Sequence, residues 1–336
     1  MQKSIIESLN QLSMFLNEPS DELNTLLDRA RNQNSWFTQA ELSRATKAWA
    51  DLLAEQSTSA WLSAYSFKEQ SPKRIGLILA GNIPMVGFHD VISVLASGHI
   101  ACIKLSSQDS VLIPALLEKL IRYEPSWASK IEYPEKLNSI DALIATGSTN
   151  TANHFEQYFK HVPRLIRKNR TSIAVINEET TSNDIQRLGL DIFSYYGQGC
   201  RNVSKVFIPK NYDFKFILDN LQAYQYVIDH HKYYNNYNYY KSIYLVNREE
   251  HFDTGFLIFK ESEQLQAALS VLYFEYYDSL EMLEDKLNAI ADNIQCIVSN
   301  IKITSSIPCF DFGQSQCPAL NDYADGVDTL TFLQSL

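Results

Sequence analysis

From residue 74 onward the chain repeats one local pattern: a short apolar, β-branched run, a Gly or Asn turn, then a segment of helical period. That is the signature of βαβ units, in which each strand is followed by a crossover helix and joins a parallel sheet. The expected strands are Ile75–Ala80, Ile100–Leu105, Ala142–Ala145, Leu165–Ile166 and Ser172–Ile176, with helices near 85–97, 109–122 and 150–160. Together they predict a doubly wound α/β domain of the kind that holds nucleotides. A second α/β block begins near Gly197. It reads as Val203–Ile208, a helix near 212–230, strands at Ile243–Val246, Gly255–Phe259 and Leu269–Phe274, a helix near 279–291, and Gln295–Val298. Ahead of both blocks, residues 1–70 carry helical spacing, with Thr38 and Glu41 as a capping box, and are expected to pack as helices on the larger body.

At 336 residues the chain has room for two domains and a sizeable core. Lys and Arg number 29 against 39 Asp and Glu, a net charge of −10, so phosphate-backbone binding is not its business and no nucleic-acid partner is expected. The five cysteines are odd in number, with no CxxC spacing and no nearby His pair, which points away from a disulfide framework or a metal and toward a reducing cytoplasm. The N-terminal MQKSIIESLNQLSMF places Ile5, Leu9, Leu12 and Phe15 on one helical face where a secretory signal would be continuously apolar. Internal runs such as IGLILAG at 75–81 fall far short of the about 20 residues of a membrane span. His230-His231 lacks partners at ligand spacing and reads as a surface or interface pair. The biased tract YYNNYNYY at 233–240 is an aromatic connection or a surface loop, and a candidate contact in a homo-oligomer.

Three loops stand out. Gly81-Asn82-Ile83-Pro84 follows a strong strand at the edge where α/β sheets place ligands, although a plain turn with Asn as cap and Pro in the first helical turn accounts for it equally. Ala145-Thr146-Gly147-Ser148-Thr149 offers N–H groups and a helix start to an anion; an ordinary N-cap has the same composition. Gly197-Gln198-Gly199-Cys200 sets a cysteine among glycines, which suits a nucleophile that also contributes an oxyanion donor, against the alternative of a packed, inert thiol. The neighbours His89 and Asp90 do not face each other on a helix and make a poor catalytic dyad.

Taken in order and spacing, these loops resemble the aldehyde dehydrogenase superfamily, and within it the acyl-CoA reductase branch, the family of the fatty-acid reductase subunit of bacterial luminescence. The resemblance runs from about residue 35 to the C-terminus. It implies that GNIPMVGFHD carries the oxyanion-holding side chain at Asn82, that Lys104 of IACIKLSS reaches the adenosine ribose with Ser107 close by, that Gly147 and Ser148 of LIATGSTNT flank the cofactor diphosphate, and that Cys200 of GQGCRNVSKVFIP is the nucleophile. It further implies an N-terminal and cofactor-binding domain over 1–196, a thiol-bearing catalytic domain over 197–310, and a return segment over 311–336 that opens with FDFGQ. Where hydrolytic relatives carry a general base in an ELGGK-like stretch, this chain reads IRKNRTSIAVI, and where many bind the ribose through Glu it has Ser107. The activity so implied is reduction of a fatty acyl thioester, carried by CoA or acyl carrier protein, to an aldehyde through a Cys200 acyl-enzyme. NADPH is the expected hydride donor in preference to NADH. An oxidising aldehyde dehydrogenase and a catalytically silent subunit of the same fold are the alternatives.

Overall fold

The computed structural model of the protein describes residues 2–67, 71–147, 149–210 and 212–336. The chain forms two compact units, one of residues 1–169 with 319–336 and one of residues 170–318.

The first unit opens with four helices, α1 (Gln2–Asn17), α2 (Asp21–Gln33), α3 (Gln39–Leu53) and α4 (Glu55–Ser63). Leu42, Ala45, Trp49 and Leu53 of α3 are buried on one face, and Thr38 caps that helix by accepting the Glu41 N–H at 3.5 Å. The βαβ pattern then produces β1 (Arg74–Ile78), α5 (Phe88–Ala96), β2 (Ile100–Lys104), α6 (Leu112–Tyr123), β3 (Ile131–Glu132), β4 (Ala142–Thr146), α7 (Thr149–Tyr158) and β5 (Arg164–Arg167). These strands form a parallel sheet in the order β3-β2-β1-β4-β5, with Ile75 of β1 opposite both Ala101 of β2 and Ala142 of β4. Consecutive residues Ile75, Gly76 and Leu77 are all buried, as a strand covered on both faces requires. One face packs Cys102, Leu143 and Ala145 against Phe155 and Phe159.

The second unit contains β6 (Thr171–Val175), α8 (Ser182–Phe193), β7 (Val203–Pro209), α9 (Phe214–Asn220), α10 (His231–Asn247), β8 (Phe252–Asp253), β9 (Ile258–Glu261), β10 (Val271–Tyr277), α11 (Leu280–Ala289), β11 (Ile294–Val298) and β12 (Cys309–Phe310). Its sheet runs β12-β11-β6-β7-β10-β9-β8, parallel except at the antiparallel edge pair β8–β9. Ile173, Val175, Phe207, Ile294 and Ile297 form its core together with Leu283 and Leu287 of α11. The chain then returns to the first unit, ending in α12 (Thr329–Gln334).

Four expectations change. The joints fall at 169/170 and 318/319, where the sequence pattern puts them at 196/197 and 310/311. The cause is β6: its partners are β7 and β11, both downstream, and an apolar run does not say which sheet it will join. The expected strand Ile243–Val246 is instead the end of α10, because Tyr233, Tyr237 and Tyr244 repeat at helical spacing and are buried, the last two against Ile258, Val271 and Tyr273. The tract YYNNYNYY is thus helical. His230 is buried, its Nδ1 accepting the Tyr233 N–H at 3.4 Å as the cap of α10, so it is no surface residue. Among the described residues no helix is long and apolar enough to cross a membrane, and no His, Cys, Asp and Glu cluster could hold a metal ion.

Candidate active site

In the first unit the strand order reverses between β1 and β4, the point at which open α/β sheets receive ligands beyond the carboxyl ends of their strands. Asn82 lies in the loop after β1, Lys104 at the end of β2, Ser107 in the loop after β2, and Gly147 directly after β4. The sheet therefore carries these four residues to one edge. Ser148 lies outside the described residues.

Asn82 does not serve as a helix cap. It sits in a bend, half-buried, while α5 starts only at Phe88 behind a Gly87 cap that makes no side-chain hydrogen bond. The loop is tied down from the neighbouring strand: Met85 has φ 58°, a left-handed value uncommon for a non-glycine residue, and its N–H donates to Asp109 Oδ2 at 2.7 Å. Asp109 is buried, and burial pushes its carboxyl up to about 6 against the pull of that hydrogen bond. Gly81 closes the same junction, since a Cβ there would stand 2.6 Å from the Ser106 side chain and 3.0 Å from the Asp109 nitrogen. Neither Asp109 nor this contact stands out in the sequence, where SSQD reads as any polar turn.

Lys104 Nζ donates to the carbonyl oxygens of Glu135 at 2.9 Å and Pro134 at 3.5 Å, so two of its three donors hold a neighbouring loop. Ser107 is exposed. The Gly147 N–H donates to Arg167 O at 3.3 Å, which continues the sheet and takes that N–H out of any anion cradle. A nicotinamide dinucleotide nonetheless fits this edge by the chemistry of its donors: an ammonium and a hydroxyl at and just after the end of one strand, and the start of a helix after another.

The stretch IRKNR, which holds no carboxylate, is anchored through its first arginine. Arg167 is buried within the first unit, donating to Asp90 Oδ1 at 2.6 Å, Thr329 Oγ1 at 2.9 Å and Ala324 O at 2.6 Å, and so binds the returning C-terminal segment. Asp90 is its ion-pair partner, and His89 Nε2 meets Leu320 O at 2.8 Å; both have structural duties.

In the second unit, Cys200 is exposed just ahead of β7, whereas Cys296 of that unit and Cys102 of the first are buried, and burial pushes each of those two thiols up to about 11. The backbone before Cys200 is strained: Tyr195, Tyr196 and Gly197 have φ of 52°, 56° and 78° in succession. The left-handed conformation costs each tyrosine about 1–2 kcal/mol. The compensation comes from Asn202, whose Oδ1 accepts the Gly199 N–H at 2.7 Å and whose Nδ2 donates to Asp191 O at 3.0 Å and Ser194 O at 2.9 Å. Ser172 Oγ donates to Cys200 O at 3.0 Å. Asp191 extends the scaffold, its carboxylate accepting from Gly313 N, Ser315 N and Ser315 Oγ at 2.6, 3.0 and 2.7 Å. The glycines around Cys200 signal an unusual backbone in the sequence; Asn202, Asp191 and Ser172, which hold it, do not.

Solved structures share this architecture. The aldehyde dehydrogenase 21 of Physcomitrella patens, in complex with the reaction product succinate, superposes with a TM-score of 0.69 over 100% of this chain and 84% of its own, at 10% identity. A NAD-dependent benzaldehyde dehydrogenase from Corynebacterium glutamicum gives 0.69 over 96% and 84% at 11% identity, and a Mycobacterium tuberculosis aldehyde dehydrogenase complexed with NAD+ gives 0.64 over 88% and 72% at 14%. The protein thus has the two-domain aldehyde dehydrogenase fold, as its sequence resemblance implies. Residues 54–217 match the family model of acyl-CoA reductase (LuxC), a stretch that includes Asn82, Lys104, Ser107, Gly147, Ser148 and Cys200. That stretch, just under half of the chain, is similar to acyl-CoA reductases and is carried on an aldehyde dehydrogenase fold. No curated protein is significantly similar to it in sequence.

Proposed function

We propose that the chain reduces a fatty acyl thioester, carried by CoA or acyl carrier protein, to an aldehyde through an acyl-enzyme on Cys200. The observation that carries this reading is the exposed Cys200 on a strained loop that neighbouring side chains hold in place, within the stretch matching acyl-CoA reductases. The thiolate attacks the thioester carbonyl, forming a carbon–sulfur bond and an oxyanion. Asn82 Nδ2 and the Cys200 N–H donate to that oxyanion, and loss of one such donor costs about 3–4 kcal/mol in the barrier. The oxyanion collapses, the CoA or carrier thiolate leaves, and the acyl group stays on Cys200. Lys104, Ser107, Gly147 and Ser148 would hold a reduced nicotinamide dinucleotide, whose chemistry would be hydride donation to the acyl carbonyl. Cys200 then leaves the resulting thiohemiacetal as a thiolate, and the aldehyde is released. No water is consumed, in keeping with a stretch IRKNRTSIAVI that holds no carboxylate.

Ser107 and Lys104 favour NADPH over NADH. A carboxylate at the ribose would repel a 2′-phosphate, whereas Ser107 does not, and the Lys104 ammonium has one donor beyond its two carbonyl partners for such a phosphate.

The test is mass spectrometry of the full chain and its peptides after incubation with a panel of acyl-CoAs and no reduced cofactor. The expected result is one acyl adduct on the Cys200 peptide with release of CoA. An adduct on Cys309 or Cys317 overturns the assignment, and no adduct from any donor points to a silent subunit. Aldehyde oxidation faster than thioester reduction would point to the oxidising alternative.

A further inference from the structure

Helix α8 ends at Phe193, and a helix end leaves its last carbonyls without intrahelical donors. Ser194 N–H closes back on Leu190 O, but the carbonyls of Asp191, Ile192 and Ser194 all converge on the amide of one side chain, Asn202, at 3.0, 3.4 and 2.9 Å. Asn202 is only 3% exposed. Its other end accepts the Gly199 N–H at 2.7 Å, so every partner of Nδ2 is an acceptor and the partner of Oδ1 is a donor, which leaves one orientation for the amide. Between the two ends runs the left-handed sequence Tyr195, Tyr196, Gly197. Beyond it, Cys200 has Gly199 pinned on its N-terminal side, and its own carbonyl is held by Ser172 Oγ.

We infer that Asn202 is the positioning residue of the nucleophile: it clamps the end of α8 to the backbone next to Cys200 and holds an otherwise strained loop in the shape that presents the thiol. The inference rests on the reading of Cys200 as the acylated residue and adds to it. Asn202 touches neither substrate nor cofactor in this role. It sets where the sulfur stands, and a reacting atom misplaced by about 1 Å loses up to about 100-fold in rate.

Two variants separate the ends of the clamp. Asn202→Ala removes both, while Asn202→Asp preserves size and the acceptor for Gly199 but turns an oxygen toward three carbonyls. In the full chain both should lower kcat for acyl-CoA reduction by about 10- to 100-fold with little change in KM. At a fixed pH, the rate of Cys200 alkylation by iodoacetamide should change several-fold, while that of the exposed Cys309 in the same molecule stays fixed. A residue that merely supports the fold would alter both rates together or neither. Should the variants fail to fold, hydrogen exchange of the wild-type protein carries the test: the Gly199 amide should be strongly protected, and exchange at the rate of an open turn overturns the clamp. Acylation of a cysteine other than Cys200 sinks the functional reading. Acylation at Cys200 with Asn202 variants matching wild type in kcat and in Cys200 alkylation rate sinks this inference alone.

Discussion

The carboxylate of Asp109 accepts the N–H of Met85 at 2.7 Å, binding the loop after β2 to the loop that bears Asn82 and holding Met85 in a left-handed conformation. The loop positions of two strands are thereby linked through one buried acid.

That acid gives stability a definite pH dependence. Its folded pKa is raised from 3.8 to about 6, so between those values the folded state binds more protons than the unfolded state. The stability it contributes is full below about pH 4 and lost as pH rises to about 6, on the order of 2–3 kcal/mol in all. Asp109→Asn should remove this part of the pH profile. Urea unfolding at pH 4.5 and 7 measures it, and a variant whose difference between the two pH values equals that of wild type would contradict the account.

Arg167 and Asp90 form a buried pair that also holds the returning C-terminal segment through Thr329 and Ala324. Asp90→Ala leaves the guanidinium buried without its counter-charge, a change that typically costs about 3–5 kcal/mol. A large fall in Tm is expected, together with early proteolysis near the C-terminus. A variant as stable as wild type would show that the pair contributes little.

Cys200 is exposed, so Cys200→Ser should change stability by less than about 0.5 kcal/mol while abolishing acylation and turnover. Asn82→Ala should leave acylation at Cys200 detectable but reduce its rate by about 10²–10³, the effect of losing one oxyanion donor. Single-turnover CoA release reads both; an Asn82→Ala rate within a few-fold of wild type removes that residue from the chemistry.

Ser107→Asp places a carboxylate beside the expected ribose position. Affinity for NADPH should fall and that for NADH rise, as read by nicotinamide fluorescence titration of both cofactors. NADH binding more tightly than NADPH to the unaltered protein would reverse the preference proposed above.

Without reduced cofactor the acyl-enzyme should persist, because arginine stays protonated and a lysine accepts a proton only after a large downward pKa shift. Radiolabelled acyl-enzyme should return its acyl group to added CoA much faster than it releases fatty acid. Rapid fatty acid release at neutral pH would mean that a base serves the site, with the exposed Glu178 and Glu179 after β6 as the first to test.

The primary structure by itself determined most of the strands and the chemistry-bearing loops. Alternation of apolar runs with helical segments is a local property, and β1, β2, β4 and β7 stand within a residue or two of where the pattern puts them. Gly81, where a Cβ would crowd Ser106, and Gly197, at φ 78°, mark places that other residues resist, so the loops bearing Asn82 and Cys200 are visible without coordinates. What pairs with what was decided only in three dimensions. β6 joins the second sheet because its hydrogen-bonding partners lie downstream, and α10 is helical to its end because its tyrosines pack on a sheet formed by other segments. Arg167, one basic residue in a basic run of the sequence, is committed to Asp90, some 77 positions away in the chain. Asn202, Asp191 and Asp109 are ordinary polar residues in the sequence. They acquire their roles only when folding brings carbonyls and N–H groups from distant segments within 3 Å and excludes the water that would otherwise satisfy them.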